Sequence, residues 1–145
     1  MRDVTLCLLF AENELVLGLK KDGFGAGNYN GFGGKPKDSD KHLIHTAIRK
    51  LKEESEVETS EQHLNKVGEI SFVFPHNPSW DQKMHIYIVT KWIGEPKETK
   101  EMKPEKFPIN NLPYDKMWEA DTHWLPHVIE GKRIKGSFVY SEDKK

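Results

Sequence analysis

Adjacent carboxylates at Glu53 and Glu54, an arginine one helical turn earlier at Arg49, and a glycine-dense segment from Gly23 to Lys35 hold most of the chemistry in this chain. Paired carboxylates offer hard oxygen ligands to Mg2+, an ion usually shared with the phosphates of a substrate. Glycine has no Cβ, so its backbone N–H can come close to an anion. Together the two segments predict a site for a diphosphate bound through metal. Stepping residues at 100° around a helix places Leu43, Ala47 and Leu51 on one side, with Arg49, Glu53, Lys50 and Glu54 on the neighbouring flank in that angular order. The carboxylates then project side by side at the edge of the core. A solvated flank with charge pairs of about 0.2–0.5 kcal/mol each would have the same pattern; the glycine segment in front of it favours a site. Lys50 is the residue out of place, a base where an acid would serve the metal better.

Other constellations carry less. His123 and His127 are four apart, but Pro126 lies between them and no H-E-x-x-H occurs, so a zinc site is rejected. His42 and His45 have no partner at metal-binding spacing. Gly34-Lys35 is followed by Pro36, which excludes a P-loop.

The elements that must position these residues follow from periodicity. Val4–Phe10 and Leu15–Leu19 are apolar runs separated by Glu12-Asn13-Glu14, predicting a hairpin. Leu43, Ile44, Ala47, Ile48 and Leu51 recur at helical spacing and predict a helix over about residues 41–56. Ile70, Phe72 and Phe74 alternate at the end of a strand, and Met84–Trp92 is another, with a turn at Asn77-Pro78-Ser79. Residues 94–117, rich in Pro, Lys and Glu, are expected as surface loops with a short strand near Phe107. Asp121 to Glu130 is expected as a second helix stopped by Gly131, and Ile134–Tyr140 as a last strand. Two separated helices among more numerous strands predict an α/β (α+β) fold, a mixed sheet with helices on its faces.

Composition bounds the function. A chain of 145 residues suits one domain, 1–145, with a modest core, since 36% of residues are hydrophobic and 31% charged. A net charge of −1 supplies no global field for nucleic acid, so any polyanion must be held locally. The longest apolar run, Val4 to Ala11, is too short to span a membrane, and no small-residue cleavage site follows it. One cysteine cannot form an intrachain disulfide. The expectation is a cytoplasmic protein, a monomer, with neither membrane nor obligate nucleic acid as partner.

Gly34, Arg49, Leu51, Glu53, Glu54 and Val57 resemble a Nudix box, G-x5-E-x7-R-E-U-x-E-E-x-G-U with U aliphatic. The segment Gly23–Lys35 is similar to the MutT homologue-1 type of 8-oxo-dGTP diphosphatases in particular. So are Val67–Phe74, Glu101-Met102-Lys103-Pro104 and Met117-Trp118 through Trp124-Leu125-Pro126, in the expected order over nearly the whole chain. The resemblance implies an α/β/α sandwich and a metal-dependent hydrolysis of nucleoside triphosphates, purine and oxidised purine included, to monophosphate and pyrophosphate. It implies Mg2+ or Mn2+ held by Glu53, Glu54, Glu101 and the carbonyl of Gly34, with Arg49 fixing the carboxylates. For the nucleotide it implies Lys20, Phe24, Asn30, Phe72, Phe74, Trp118, Asp121 and Trp124. Bottom-up, Phe72 and Phe74 suit a core equally well, whereas Trp118 lies in a polar loop. The chain departs from the pattern at three places. Lys50 takes the position of the first glutamate of R-E-U-x-E-E, Glu56 that of the second glycine, and one extra residue separates Gly34 from Arg49. Ala120 stands where relatives accepting oxidised purines have the first of two acids. These departures leave open an alternative, a Nudix domain that binds nucleotide or RNA without hydrolysing it.

Overall fold

A computed structural model describes residues 1–21, 23 and 26–140. In chain order it has β1 (Arg2–Ala11), β2 (Glu14–Lys20), β3 (Tyr29–Asn30), α1 (Leu43–Ser55), β4 (Leu64–Val73), β5 (Gln82–Val89), β6 (Met102–Pro108), α2 (Asp121–Ile129) and β7 (Ile134–Val139). Among the described residues the strands form one mixed sheet. Its main path runs β3-β2-β1-β5-β4-β7, and β6 pairs along β2. β1 and β5 run parallel, as do β4 and β7, while β1–β2, β2–β6 and β4–β5 are antiparallel.

Alternation along the strands sends side chains to two cores. Cys7, Leu9, Val16, Tyr87 and Val89 meet Ala47 and Leu51 of α1 on one face. Val4, Leu8, Leu15, Leu17, Ile70 and Ile86 meet Trp124, Leu125 and Val128 of α2 on the other. The sheet is thus covered by a helix on each side, as two amphipathic helices require.

Three elements depart from expectation. The strand near Phe107 extends over seven residues, and Pro104 is tolerated within it because β6 is an edge strand, where a missing N–H costs no ladder bond. In α1 the buried residues are Thr46, Ala47, Leu51, Glu54 and Ser55; Leu43 is only half-buried, so the buried stripe turns toward Glu54. β3 arises inside the glycine segment, pairing Tyr29 and Asn30 with Leu19 and Gly18.

That last pairing organises the site. β1 stays with β2 only from Leu9 to Ala11 and then separates from it. Residues 31–34 fill the gap. Cys7 N–H donates to the Phe32 carbonyl (2.6 Å), Phe32 N–H to that of Cys7 (3.0 Å), and Thr5 N–H to that of Gly34 (2.9 Å). A Cβ at Gly33 would lie 1.8 Å from the Thr5 carbonyl oxygen, so this close approach admits only glycine.

Candidate active site

The glycine wedge brings Gly33 against the end of α1, where its N–H donates to Glu54 Oε1 at 2.8 Å. The anion met by the glycine segment is therefore the protein's own carboxylate. Glu54 is buried, and desolvation pushes its carboxyl up to about 7 despite the opposing pull of Lys50 and the Gly33 N–H.

Arg49 anchors the other side of the cluster. Its Nη1 donates to Glu53 Oε2 at 2.9 Å, and Nε and Nη2 grip Asp40 at 3.1 and 2.9 Å. Asp40 also accepts from Thr46 Oγ1 (2.9 Å) and the Lys37 N–H (2.8 Å), and these donors hold its carboxyl well below the usual carboxylate range. The loop lengthened by one residue thus closes on α1 through Asp40; by spacing Asp38 and Asp40 both match the loop acid of the box only loosely, and it is Asp40 that meets Arg49. Glu101 arrives from the β6 side: Thr99 Oγ1 donates to the Glu54 carbonyl (3.0 Å) and accepts from the Glu101 N–H (3.2 Å).

At the meeting point of the acids stands a cation. Lys50 Nζ is 3.2 Å from Glu53 Oε1, 3.6 Å from Glu101 Oε1 and 3.9 Å from Glu54 Oε2, with its side chain 15% exposed. The stem of Lys50 packs over Gly34, where an added Cβ would come within 2.7 Å of its Cε. The Gly34 carbonyl is turned toward β1, accepting from Thr5 N–H and, at 3.4 Å, from its hydroxyl. The acids are therefore gathered around an ammonium. Among the described residues no three His, Cys, Asp or Glu are set to hold a metal by themselves.

A cleft of about 800 Å3 runs from Glu54 to α2. Lys20, Asn30, Gly34, Phe72, Phe74, Trp118, Asp121 and Trp124 all line it. Arg49, Glu53 and Glu101 lie behind the acid end and not in its walls, and Phe24 is outside the described residues. Phe72 and Phe74 belong both to the core and to the cleft. At the far end Asp121 accepts from Trp124 Nε1 at 3.0 Å and from the Trp118 backbone N–H, and burial pushes its carboxyl up to about 7. Of the aromatic wall residues, sequence reasoning missed two, Trp80 and Tyr140. Parallel pairing of Phe72 with Phe138 sets Tyr140 level with Phe74; the alternation of Phe138 and Tyr140 was visible, but its partner strand was not.

No family model matches the chain. It is 37% identical over 138 residues to the oxidized purine nucleoside triphosphate hydrolase of Mus musculus, covering 95% of this chain and 86% of that one. The protein of the same name from Danio rerio is 37% identical over 137 residues, covering 94% and 85%. Among solved structures, the MutT protein of Bacillus halodurans superposes with a TM-score of 0.83 at 21% identity, over 100% of this chain and 94% of its own. A bifunctional NMN adenylyltransferase/ADP ribose pyrophosphatase of Francisella tularensis, complexed with AMP and a Mn ion, matches with a TM-score of 0.68 at 17% identity, over 90% of this chain and 41% of its own. With 37% identity over nearly its full length, the chain belongs to the oxidized purine nucleoside triphosphate hydrolase family of the MutT/Nudix hydrolases.

Proposed function

We propose that this protein hydrolyses purine nucleoside triphosphates, oxidised ones among them, to the monophosphate and pyrophosphate. The observation that carries the reading is one cleft with Glu54, the buried member of the acid cluster, at one end and an aromatic, partly polar wall at the other. Its volume suits a nucleotide. In this arrangement the base lies between Phe72, Phe74 and Trp118, with Asn30 and Asp121 directed at its polar edge. Lys20, also in the wall, meets the phosphates.

The donor chemistry around Lys50 fits Mg2+ or Mn2+ in kind, since Glu53, Glu54 and Glu101 offer hard oxygens from two elements. With the Lys50 ammonium displaced from among them, these three carboxylates would hold the ion. When bound, a divalent ion there supplies charge neutralisation of the polyphosphate and a lowered pKa for water. The protein's own part is to pre-set those oxygens. Gly33 N–H fixes Glu54 Oε1 and leaves Oε2 on the Lys50 side, while Arg49 fixes Glu53 Oε2 and leaves Oε1 there. The buried, unpaired thiol of Cys7 supports a cytoplasmic setting.

The ammonium of Lys50 among the acids favours a second reading, a domain that binds the same nucleotides and turns them over slowly or not at all. Pyrophosphate release from dGTP, 8-oxo-dGTP, dATP and dCTP with Mg2+ or Mn2+ separates the two. Release from the purine nucleotides supports hydrolysis, and tight binding without release supports the second reading.

A further inference from the structure

The base end of the cleft contains a phenol that neither the sequence motifs nor the comparisons assign. Tyr140 follows β7, tied to β4 by its N–H to the Val73 carbonyl at 2.9 Å. Its ring lies nearly parallel to Phe74 (centroids 5.2 Å, 11°) and to Phe72 (6.1 Å, 20°), with Trp118 edge-on at 6.4 Å. Three aromatic neighbours fix the ring, and a phenylalanine would fill that wall as well. A hydroxyl buried there is costly without a polar partner. The Ala120 backbone and the Asp121 carboxyl are polar groups close enough to act on it. A phenol hydroxyl carries one donor proton besides its acceptor lone pairs, so this wall gains a donor that phenylalanine would lack. The side chain of residue 120 is a buried methyl group and contributes no polar atom. Beside Asp121, then, the directed polar group of this wall is the Tyr140 hydroxyl.

We propose that Tyr140 is a specificity-determining residue whose O–H donates to an acceptor on the purine edge, favouring 6-oxopurines (guanine and 8-oxoguanine) over adenine, whose 6-amino group is itself a donor. Asp121 reads the neighbouring position of the same edge. The inference rests on the cleft being the nucleotide site proposed above.

Binding of dGMP, 8-oxo-dGMP and dAMP, followed by calorimetry without metal, tests it apart from catalysis. The wild type is expected to bind the two 6-oxopurine nucleotides more tightly than dAMP. Tyr140→Phe keeps the stacked ring and is expected to cut that ratio by roughly two- to tenfold, the range for one directed hydrogen bond, with the far-ultraviolet circular dichroism unchanged. An unchanged ratio in Tyr140→Phe, or a wild type that prefers dAMP, overturns the assignment while the nucleotide site stands. A wild type that binds none of the three overturns both. If the ratio collapses in the variant but no triphosphate is hydrolysed by either protein, Tyr140 keeps its role and the hydrolase reading falls.

Discussion

Replacing Lys50 by glutamate inverts the charge at the centre of the acid cluster, and its consequence is large enough to measure. At 3.2–3.9 Å and an effective dielectric of about 20, each ammonium–carboxylate pair is worth roughly 4–5 kcal/mol before screening. Glu53 and Glu101 have side chains 38% and 48% exposed, which brings their pairs toward the ~0–1 kcal/mol of surface ion pairs. Glu54, 11% exposed, retains most of its share once ionised, above its pKa of about 7. A net hold on the order of 3 kcal/mol follows, so a divalent ion competing with Lys50 for these oxygens loses about two powers of ten in affinity. Lys50→Glu removes the competitor and adds an oxygen ligand. Mn2+ titration by electron paramagnetic resonance should show tighter binding by at least roughly tenfold, and turnover should rise by tenfold or more, within the ~10²–10⁴ range of a positioned base. Lys50→Met separates the two effects. It leaves three clustered acids without the cation between them, so its melting temperature should fall in chelator and recover with Mn2+, whereas the wild type should respond little. A wild type that already binds Mn2+ as tightly as Lys50→Glu and turns over as fast would refute the competition argument.

Three further perturbations test other parts of the site. Glu56 caps α1 with φ +64°, a left-handed conformation that disfavours side chains, so Glu56→Gly should raise stability by about 1 kcal/mol in urea unfolding. Ala120→Asp restores an acid beside Asp121; at about 1.5–3 kcal/mol for a charged hydrogen bond, selectivity for 8-oxo-dGTP over dGTP should rise roughly tenfold or more in competition kinetics. Asp121, whose carboxyl is pushed from 3.8 up to about 7, is neutral in the folded protein but ionised in the unfolded one between those values. The unfolded state then binds fewer protons, so stability drops as pH rises from about 4 to about 7 and levels off above, by on the order of 4 kcal/mol from this group. Asp121→Asn should flatten that part of the melting-temperature profile; an identical slope in both proteins would show that the burial is relieved some other way.

The helix, the hairpin and the terminal strands were legible because each carries its own period: 3.6 in residues 43–55, alternation in β4 and β7. β6 was under-read because its sequence, Met102-Lys103-Pro104-Glu105-Lys106-Phe107-Pro108, has the proline and charge of a loop. It is a strand only because β2 offers an unpaired edge along its full length. The cleft residues named from the motifs come together, yet Tyr140 and Trp80 stayed invisible, since nothing local distinguishes an aromatic in a wall from one in a core. Which wall Tyr140 joins depends on the parallel pairing of β7 with β4, a contact between segments more than sixty residues apart.

Lys50 illustrates a different limit. Its departure from the motif was plain from the sequence, and so was its sign. What the sequence left open was whether the ammonium would swing into solvent, leaving the acids to a metal, or settle among them. Two residues far from α1 in sequence decide this. Gly34, with no Cβ, makes room for the lysine stem, and Glu101, held by Thr99 just before β6, adds a third carboxylate within 3.6 Å of the ammonium. A side chain at position 34 would make the stem shift, since the first added carbon already meets Cε at 2.7 Å. The same glycine that a metal-binding reading values for its carbonyl therefore serves here as the floor under a lysine, while its carbonyl is taken by Thr5.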